Sequence, residues 1–354
     1  MYDGRMKDLL LSFKYPLIAL IAGIAISGYY GGITQVVLVT ILCILEISLS
    51  FDNAVINATI LRRMSDFWRK MFLTVGILIA VVGMRLIFPV AIVAVTAGLS
   101  VSKVIDLILN NPLEYAHQLE LAHPSIAAFG GAFLFMIFLD FMLDAAKRVH
   151  WIAMVEEPLA IGGRLKTLSS LIAMIALLVV SSTWGAEHSD AVLRSGIVGL
   201  ATYLGVRGFS QLFESLGGVQ AAAAKTGDQI VKVTGKAAFF LFLYLEVLDA
   251  SFSFDGVVGA FAITSNVLTI AIGLGIGAYF VREITIWLVK HDTLSEFVYL
   301  EHGAHYAVGA LAVLLAASLH YDIPEVVTGL IGVFFIVFSL MSSLRHRKLN
   351  GKSA

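Results

Sequence analysis

Apolar stretches of about 20 residues recur along this chain, separated by short clusters of charge. That length of helix crosses the hydrocarbon core of a bilayer. Only 14% of the 354 residues are charged and 59% are hydrophobic, where a soluble domain carries about 25% charge. The mean hydropathy is +0.90. The pattern predicts an all-α, polytopic membrane protein. A net charge of -1 gives no basic surface for nucleic acid, and the single cysteine, Cys43, excludes an internal disulfide or a Cys-x-x-Cys redox pair. Arg5, Lys7 and Lys14 precede the first apolar run with no clear small-residue cleavage site, which reads as an uncleaved first span.

About ten spans are expected, at 15–32, 35–60, 71–97, 125–146, 168–184, 192–212, 237–264, 266–289, 303–320 and 325–344. Lys and Arg gather in segments 61–70, 147–167, 213–236 and the tail, and are sparse in the alternate connections, Lys103 in segment 98–124 excepted. The positive-inside rule then places both termini in the cytoplasm, in a multi-pass protein of the inner or plasma membrane.

One stretch occurs twice. Ile44-Leu45-Glu46-Ile47-Ser48-Leu49-Ser50-Phe51-Asp52-Asn53 is matched by Val247-Leu248-Asp249-Ala250-Ser251-Phe252-Ser253-Phe254-Asp255-Gly256. An arginine follows each copy in the next span, Arg85 and Arg282, and a glycine-containing stretch in the one after, Phe129–Ala132 and Ala307–Ala310. Five spans lie between the copies on this reading, so the two motif helices run in opposite directions. That predicts two inverted three-helix repeats, a transporter hallmark with the site near the midplane. The chain divides accordingly: 1–34 is a first span; 35–146 is the first repeat, with an external loop or short re-entrant insertion at 98–124; 147–236 holds connecting spans and a cytoplasmic linker, in which Ala221–Ala224 suggests a short surface helix; 237–320 is the second repeat; 321–354 is the last span and a basic tail.

Within a regular helix Glu46, Ser50, Asn53 and Asn57 share one stripe and Ser48 and Asp52 another. Glu46 and Asp52 are then about 9 Å apart along the axis and cannot grip one ion. Unwinding at Ser-Phe-Asp-(Asn/Gly) would let both carboxylates converge with freed carbonyls. Each charged acid at mid-span opposes insertion by about 2.5–3.5 kcal/mol, so such groups are paired, protonated or bound to a cation. The expected metal ligands are Glu46, Ser50, Asp52, Asn53, Asp249, Ser253 and Asp255, supported by Ser48, Ser251, Arg85 and Arg282. Two arginines against four acids leave a negative excess suited to a divalent cation, and an all-oxygen ligand set suits Mn²⁺, Mg²⁺ or Ca²⁺. A purely structural pair of salt-bridge clusters is the bland alternative. Asp140 and Asp144 could form an ion vestibule, or sit at the interface beside Lys147 and Arg148. Glu301, His302 and His305 read as an interfacial cluster more readily than a metal site.

At these residues the sequence resembles the TerC-like integral membrane proteins, in particular their long branch once catalogued only as a domain of unknown function, within the LysE-type transporter superfamily. The supporting stretches are Leu45–Asn53, Leu248–Gly256 and Phe280–Ala310, and the resemblance covers nearly the whole chain. It implies two inverted three-helix repeats and export of a metal ion, with Mn²⁺ favoured because some relatives export manganese. The chain departs from the commoner pattern in carrying Asp249 opposite Glu46 and Gly256 opposite Asn53, so the half-sites are unequal. The expectation is a proton-coupled divalent-cation exporter with the metal as substrate, no cofactor, no catalytic residues, and lipid, metal ion and protons as its partners. The alternatives are an intramembrane aspartyl protease, though no Gly-x-Gly-Asp segment is present, an exporter of small organic solutes such as amino acids, and a non-transporting scaffold.

Overall fold

The computed structural model describes residues 13–350 except 88, 89, 92, 95, 96, 148, 164, 166, 217–231, 265 and 291–296; at a further set of helical positions only the backbone is described. The Ala221–Ala224 run and the basic N-terminal cluster at Arg5 and Lys7 lie outside the described residues. Among those described, the architecture is helices and one isolated bridge, Met64 to Val233.

The helices are α1 (Lys14–Leu49), α2 (Phe51–Leu61), α3 (Asp66–Leu78), α4 (Val101–Asn110), α5 (Pro112–Met142), α6 (Ala153–Gly162), α7 (Leu168–Ser182), α8 (Ser189–Leu216), α9 (Gly235–Ile263), α10 (Val267–Lys290), α11 (Leu300–Ala317) and α12 (Glu325–Asn350). A π-helical segment, Ile79–Ile87, continues α3. Five helices are long and apolar enough to cross a membrane, or six if the α7–α8 pair, bent by 95°, counts as one. That is a multi-pass membrane protein with fewer clear spans among the described residues than the ten expected.

Part of the difference lies in α1. Gly32 interrupts it at φ 66°, ψ -160°, a backbone region that residues with a Cβ rarely occupy. The two arms meet α10 in opposite senses. In the first, Phe13 stacks on Phe280 with ring centroids 6.1 Å apart, and Gly23 faces Ile276 and Ile272. In the second, Gln35 accepts a hydrogen bond from Thr269, Leu42 lies on Gly273 and Glu46 on Gly277. The chain therefore turns back at Gly32, where the sequence placed the boundary between two spans.

Segment 98–124, expected as an external loop or short re-entrant insertion, is helical over Val101–Asn110 and again from Pro112. Ser100 caps α4, and Pro112 opens α5 at a position where its missing N–H costs nothing. Helix α5 then continues through Pro124 to Met142, so the span expected at 125–146 starts a dozen residues earlier.

The burial pattern is inverted relative to a soluble protein. Ile21, Met174, Ile197, Phe334 and Met341 are exposed, while Glu46, Asn53, Arg85, Glu156, Glu246, Asp249 and Arg282 are buried. Apolar side chains outward and ion pairs inward is the arrangement a lipid solvent selects. The main core packs α2, α5, α8 and α11 around Phe133, Leu134, Met136, Tyr203 and Val308. It holds α2, whose first residues Phe51–Asn53 end the first motif, against the bundle.

Candidate functional site

The two motif copies lie against each other. Asn53 Nδ2 donates to Asp249 Oδ1 at 2.7 Å. Seven residues back along the first copy, Glu46 faces Gly256, where an added methyl group would sit 3.1 Å from Glu46 Oε2. As the number rises in one chain segment it falls in the other, so the two helices run antiparallel at this crossing. Aligned by motif, Glu46 corresponds to Asp249 and Asn53 to Gly256. The two contacts are therefore counterparts, with a hydrogen bond on one side and a glycine on the other.

Each acid meets the arginine of its own half. Glu46 is 1% exposed and pairs with Arg85, whose guanidinium also donates to the Ala80 carbonyl; Ser50 Oγ donates to Glu46 Oε1 at 2.8 Å. Arg282 Nη2 lies 3.3 Å from Asp249 Oδ2 and 3.5 Å from Glu246 Oε2. Its Nη1 donates to the Phe72 carbonyl at 3.0 Å, and the guanidinium carbon sits 3.9 Å over the Phe72 ring. A buried carboxylate stripped of its partner is far more costly than the pair is favourable, so these arginines fix where the acids point.

Two glycines make the approach possible. A methyl at Gly277 would lie 2.5 Å from Glu46 Cβ, and one at Gly76 would lie 2.5 Å from Arg282 Nη1 and 2.8 Å from Glu246 Oε1. Together Glu46, Asp249, Arg85, Arg282, Ser50 and Asn57 line one enclosed cavity of about 10 Å³, roughly the space of one water. Asn57 is 2% exposed, and its Oδ1 has no hydrogen-bond partner among the described residues.

The expected unwinding takes a reduced form. The first copy breaks at Ser50 alone (φ -105°, ψ 11°), and Ser50 N still bonds the Glu46 carbonyl at 3.0 Å. The second copy sits inside the unbroken α9. With Glu46 met by Arg85 and Asp249 by Arg282 and Asn53, neither acid needs freed carbonyls. The side chains of Ser48, Asp52, Ser251, Ser253 and Asp255 lie outside the described residues. Among the described residues, no three His, Cys, Asp or Glu side chains form a group that could hold a metal ion.

Asp140 and Asp144 do share a space. Both line a second, half-open cavity of about 460 Å³ with Glu301, His305, Arg63 and Arg207. Asp140 pairs with Arg207, and Tyr203 Oη donates to Asp140 Oδ2 at 2.5 Å. Asp144 turns its carboxylate to the Ala146 N–H at 2.9 Å. His302 belongs elsewhere: its Nε2 is 2.9 Å from the Val149 carbonyl and 3.4 Å from Glu156, which Lys147 meets at 2.9 Å.

Sequence reasoning passed over two buried acids. Glu246 lies three residues before Asp249, on the same helix face, immediately outside the motif as it was delimited. Glu156 is in a loop-borne helix whose charges resemble ordinary solvent-facing ones until Lys147 and His302 are seen around it.

One curated protein is 33% identical over 95 residues, the "Uncharacterized membrane protein YceF" of Bacillus subtilis (strain 168); the match covers 26% of this chain and 34% of that protein. The chain thus spans about a third of the length of the curated relative it matches. No solved structure matches. Residues 51–350, which hold both arginines, the second motif and the acids of the larger cavity but not Glu46, match the family model described as "Protein of unknown function (DUF475)", and the chain belongs to that family.

Proposed function

We propose that this protein exports a divalent metal cation, Mn²⁺ first among the candidates, in exchange for protons. The observation that carries the reading is the paired site: two acids from antiparallel motif helices, each held by the arginine of the following helix, facing one cavity. An internal two-fold relation of this kind accompanies transport by alternating access, in which one repeat rocks against the other. The resemblance to TerC-like proteins of the LysE-type superfamily points the same way. The reversal at Gly32 separates the first span from the motif helix, in keeping with the larger span count. With about ten spans the Lys- and Arg-rich segments fall on one side, and both termini are cytoplasmic.

In this scheme Arg85 and Arg282 act as tethered counter-ions between turnovers. Asp52 and Asp255 add the negative charge that the arginines do not cancel, and with Glu46, Asp249, Ser50, Ser253 and Asn53 they supply the oxygen ligands for the cation. Arrival of a divalent ion favours the charged carboxylates and displaces protons, and opening to the proton-rich face reverses the exchange. The central cavity is sized for a water or an ion, which argues against an amino acid as cargo.

The test is metal flux in proteoliposomes under an imposed pH gradient, across Mn²⁺, Mg²⁺, Ca²⁺ and Zn²⁺. Wild type should carry Mn²⁺, and Asp52→Asn and Asp255→Asn should abolish flux while the protein remains folded. Flux surviving both substitutions ends the site assignment. Flux indifferent to the gradient ends the proton coupling alone.

A further inference from the structure

The larger cavity has a chemistry of its own. Asp140, Asp144 and Glu301 give it three carboxylates against the two guanidiniums of Arg63 and Arg207, a net negative charge. Helices α2 and α5 both end beside it, at Leu61 and Met142, and helix C-termini carry partial negative charge. His305 supplies an independent pointer. It is 8% exposed, its ring stacks on Phe141 with centroids 3.7 Å apart, and its Nδ1 is 2.8 Å from the Glu301 carbonyl. That contact makes Nδ1 the donor, so Nε2 of the neutral ring is an acceptor. It has no hydrogen-bond partner among the described residues, and the residue lines the cavity.

An acceptor-rich, negative space suits a ligand that is positive and presents donors. Water coordinated to a divalent cation does both. A cation with six waters needs about 60–90 Å³ at roughly 10–15 Å³ per water, which the cavity of about 460 Å³ admits. The carboxylates do not converge closely enough for direct ligation, so the cation keeps its water shell. Asp140 is engaged by Arg207 and Tyr203, and Arg207 also donates to Tyr203 Oη at 2.6 Å. The Arg207 side chain is 41% exposed, against 19% for Asp140, so it is the partner with room to swing away from the pair.

We propose that this cavity is an entry basin that binds a still-hydrated divalent cation, and that Arg207 is its resident counter-ion, holding Asp140 until the cation displaces it. This rests on the transporter reading and adds to it a second site beside the cytoplasmic Lys- and Arg-rich loops, one that works without stripping water from the ion.

The experiment is equilibrium binding of Mn²⁺ to the full chain purified in detergent, with hexaamminecobalt(III), whose shell does not exchange, as competitor. Arg207→Gln should bind Mn²⁺ about fivefold more tightly than wild type, the worth of one partly exposed ion pair. Asp140→Asn added to it should return binding to wild type or weaker, and hexaamminecobalt(III) should compete. Arg207→Lys, which keeps the charge, should behave as wild type, and thermal unfolding identifies any variant that fails to fold. Unchanged affinity in a folded Arg207→Gln variant overturns the counter-ion role. Mn²⁺ binding that Asp140→Asn weakens but hexaamminecobalt(III) cannot compete overturns the hydrated site. Basin binding without flux would remove the export reading and leave the basin standing; flux with no basin binding would do the reverse.

Discussion

Asn53 donates a hydrogen bond to Asp249 across the crossing of the two motif helices, Nδ2 to Oδ1 at 2.7 Å. Its counterpart position in the second copy is Gly256, which has no side chain to donate from and instead lets Glu46 come close. Asp249 therefore has two partners from elsewhere in the bundle, and Glu46 depends on Arg85 and its own Ser50. The half-sites differ in how they hold their acid.

Asn53→Ala should cost about 1.5–3 kcal/mol, the worth of a hydrogen bond to a charged group. Thermal unfolding in detergent measures it. Asn53→Asp should be worse, because it sets one carboxylate against another. An Asn53→Asp variant as stable as wild type would show that the Asn53–Asp249 contact contributes nothing to holding the crossing.

Arg85→Met leaves Glu46 buried without its cation, an expected loss of about 3–5 kcal/mol. The double variant with Glu46→Gln removes the stranded charge and should recover most of that. Coupling near zero in this cycle would show that Arg85 and Glu46 stand independently.

Gly277→Ala puts a methyl 2.5 Å from Glu46 Cβ and forces α1 and α10 apart, at about 1–3 kcal/mol for overpacking. Gly205, inside α8, has nothing within 4 Å of an added Cβ. There the same substitution should stabilise by about 0.5–1 kcal/mol, because alanine favours helix over glycine. The two variants, compared by melting temperature, separate packing from propensity.

Glu156 governs acid stability at the α5–α6 connection. Burial pushes its carboxyl up, but the Lys147 ammonium, His302 and the Ile152 N–H outweigh burial and hold it below its ordinary value of 4.5. A carboxyl depressed in the folded state contributes stability above its unfolded pKa and loses it as pH falls through the folded value. Melting temperature should therefore drop from pH 6 toward pH 3.5 more steeply in wild type than in Glu156→Gln. Parallel curves would show that Glu156 is no part of the acid transition.

Much of this was legible because lipid makes charge conspicuous. An arginine or acid at mid-depth demands a partner, so Glu46, Arg85, Asp249 and Arg282 stood out from the apolar runs around them, and the structure sets them together. What the sequence hid were matters of geometry. No residue type announces that Ile79–Ile87 takes the π form, and the length of an apolar run does not show that α5 begins at Pro112 rather than at 125. Glu246 was missed through proximity, since the motif already accounted for an acid three residues on. The Glu156–Lys147–His302 cluster joins three segments whose spacing carries no periodic signal.

The wide-turned stretch Ile79–Ile87 ends within two residues of Arg85, the cation that holds Glu46. A π segment carries one more residue per hydrogen-bonded turn than α-helix does. The angle at which Arg85 meets Glu46 is therefore set by a wider turn than α-helical spacing gives, and a local change in hydrogen-bond register, rather than any side-chain change, would be enough to re-aim the guanidinium.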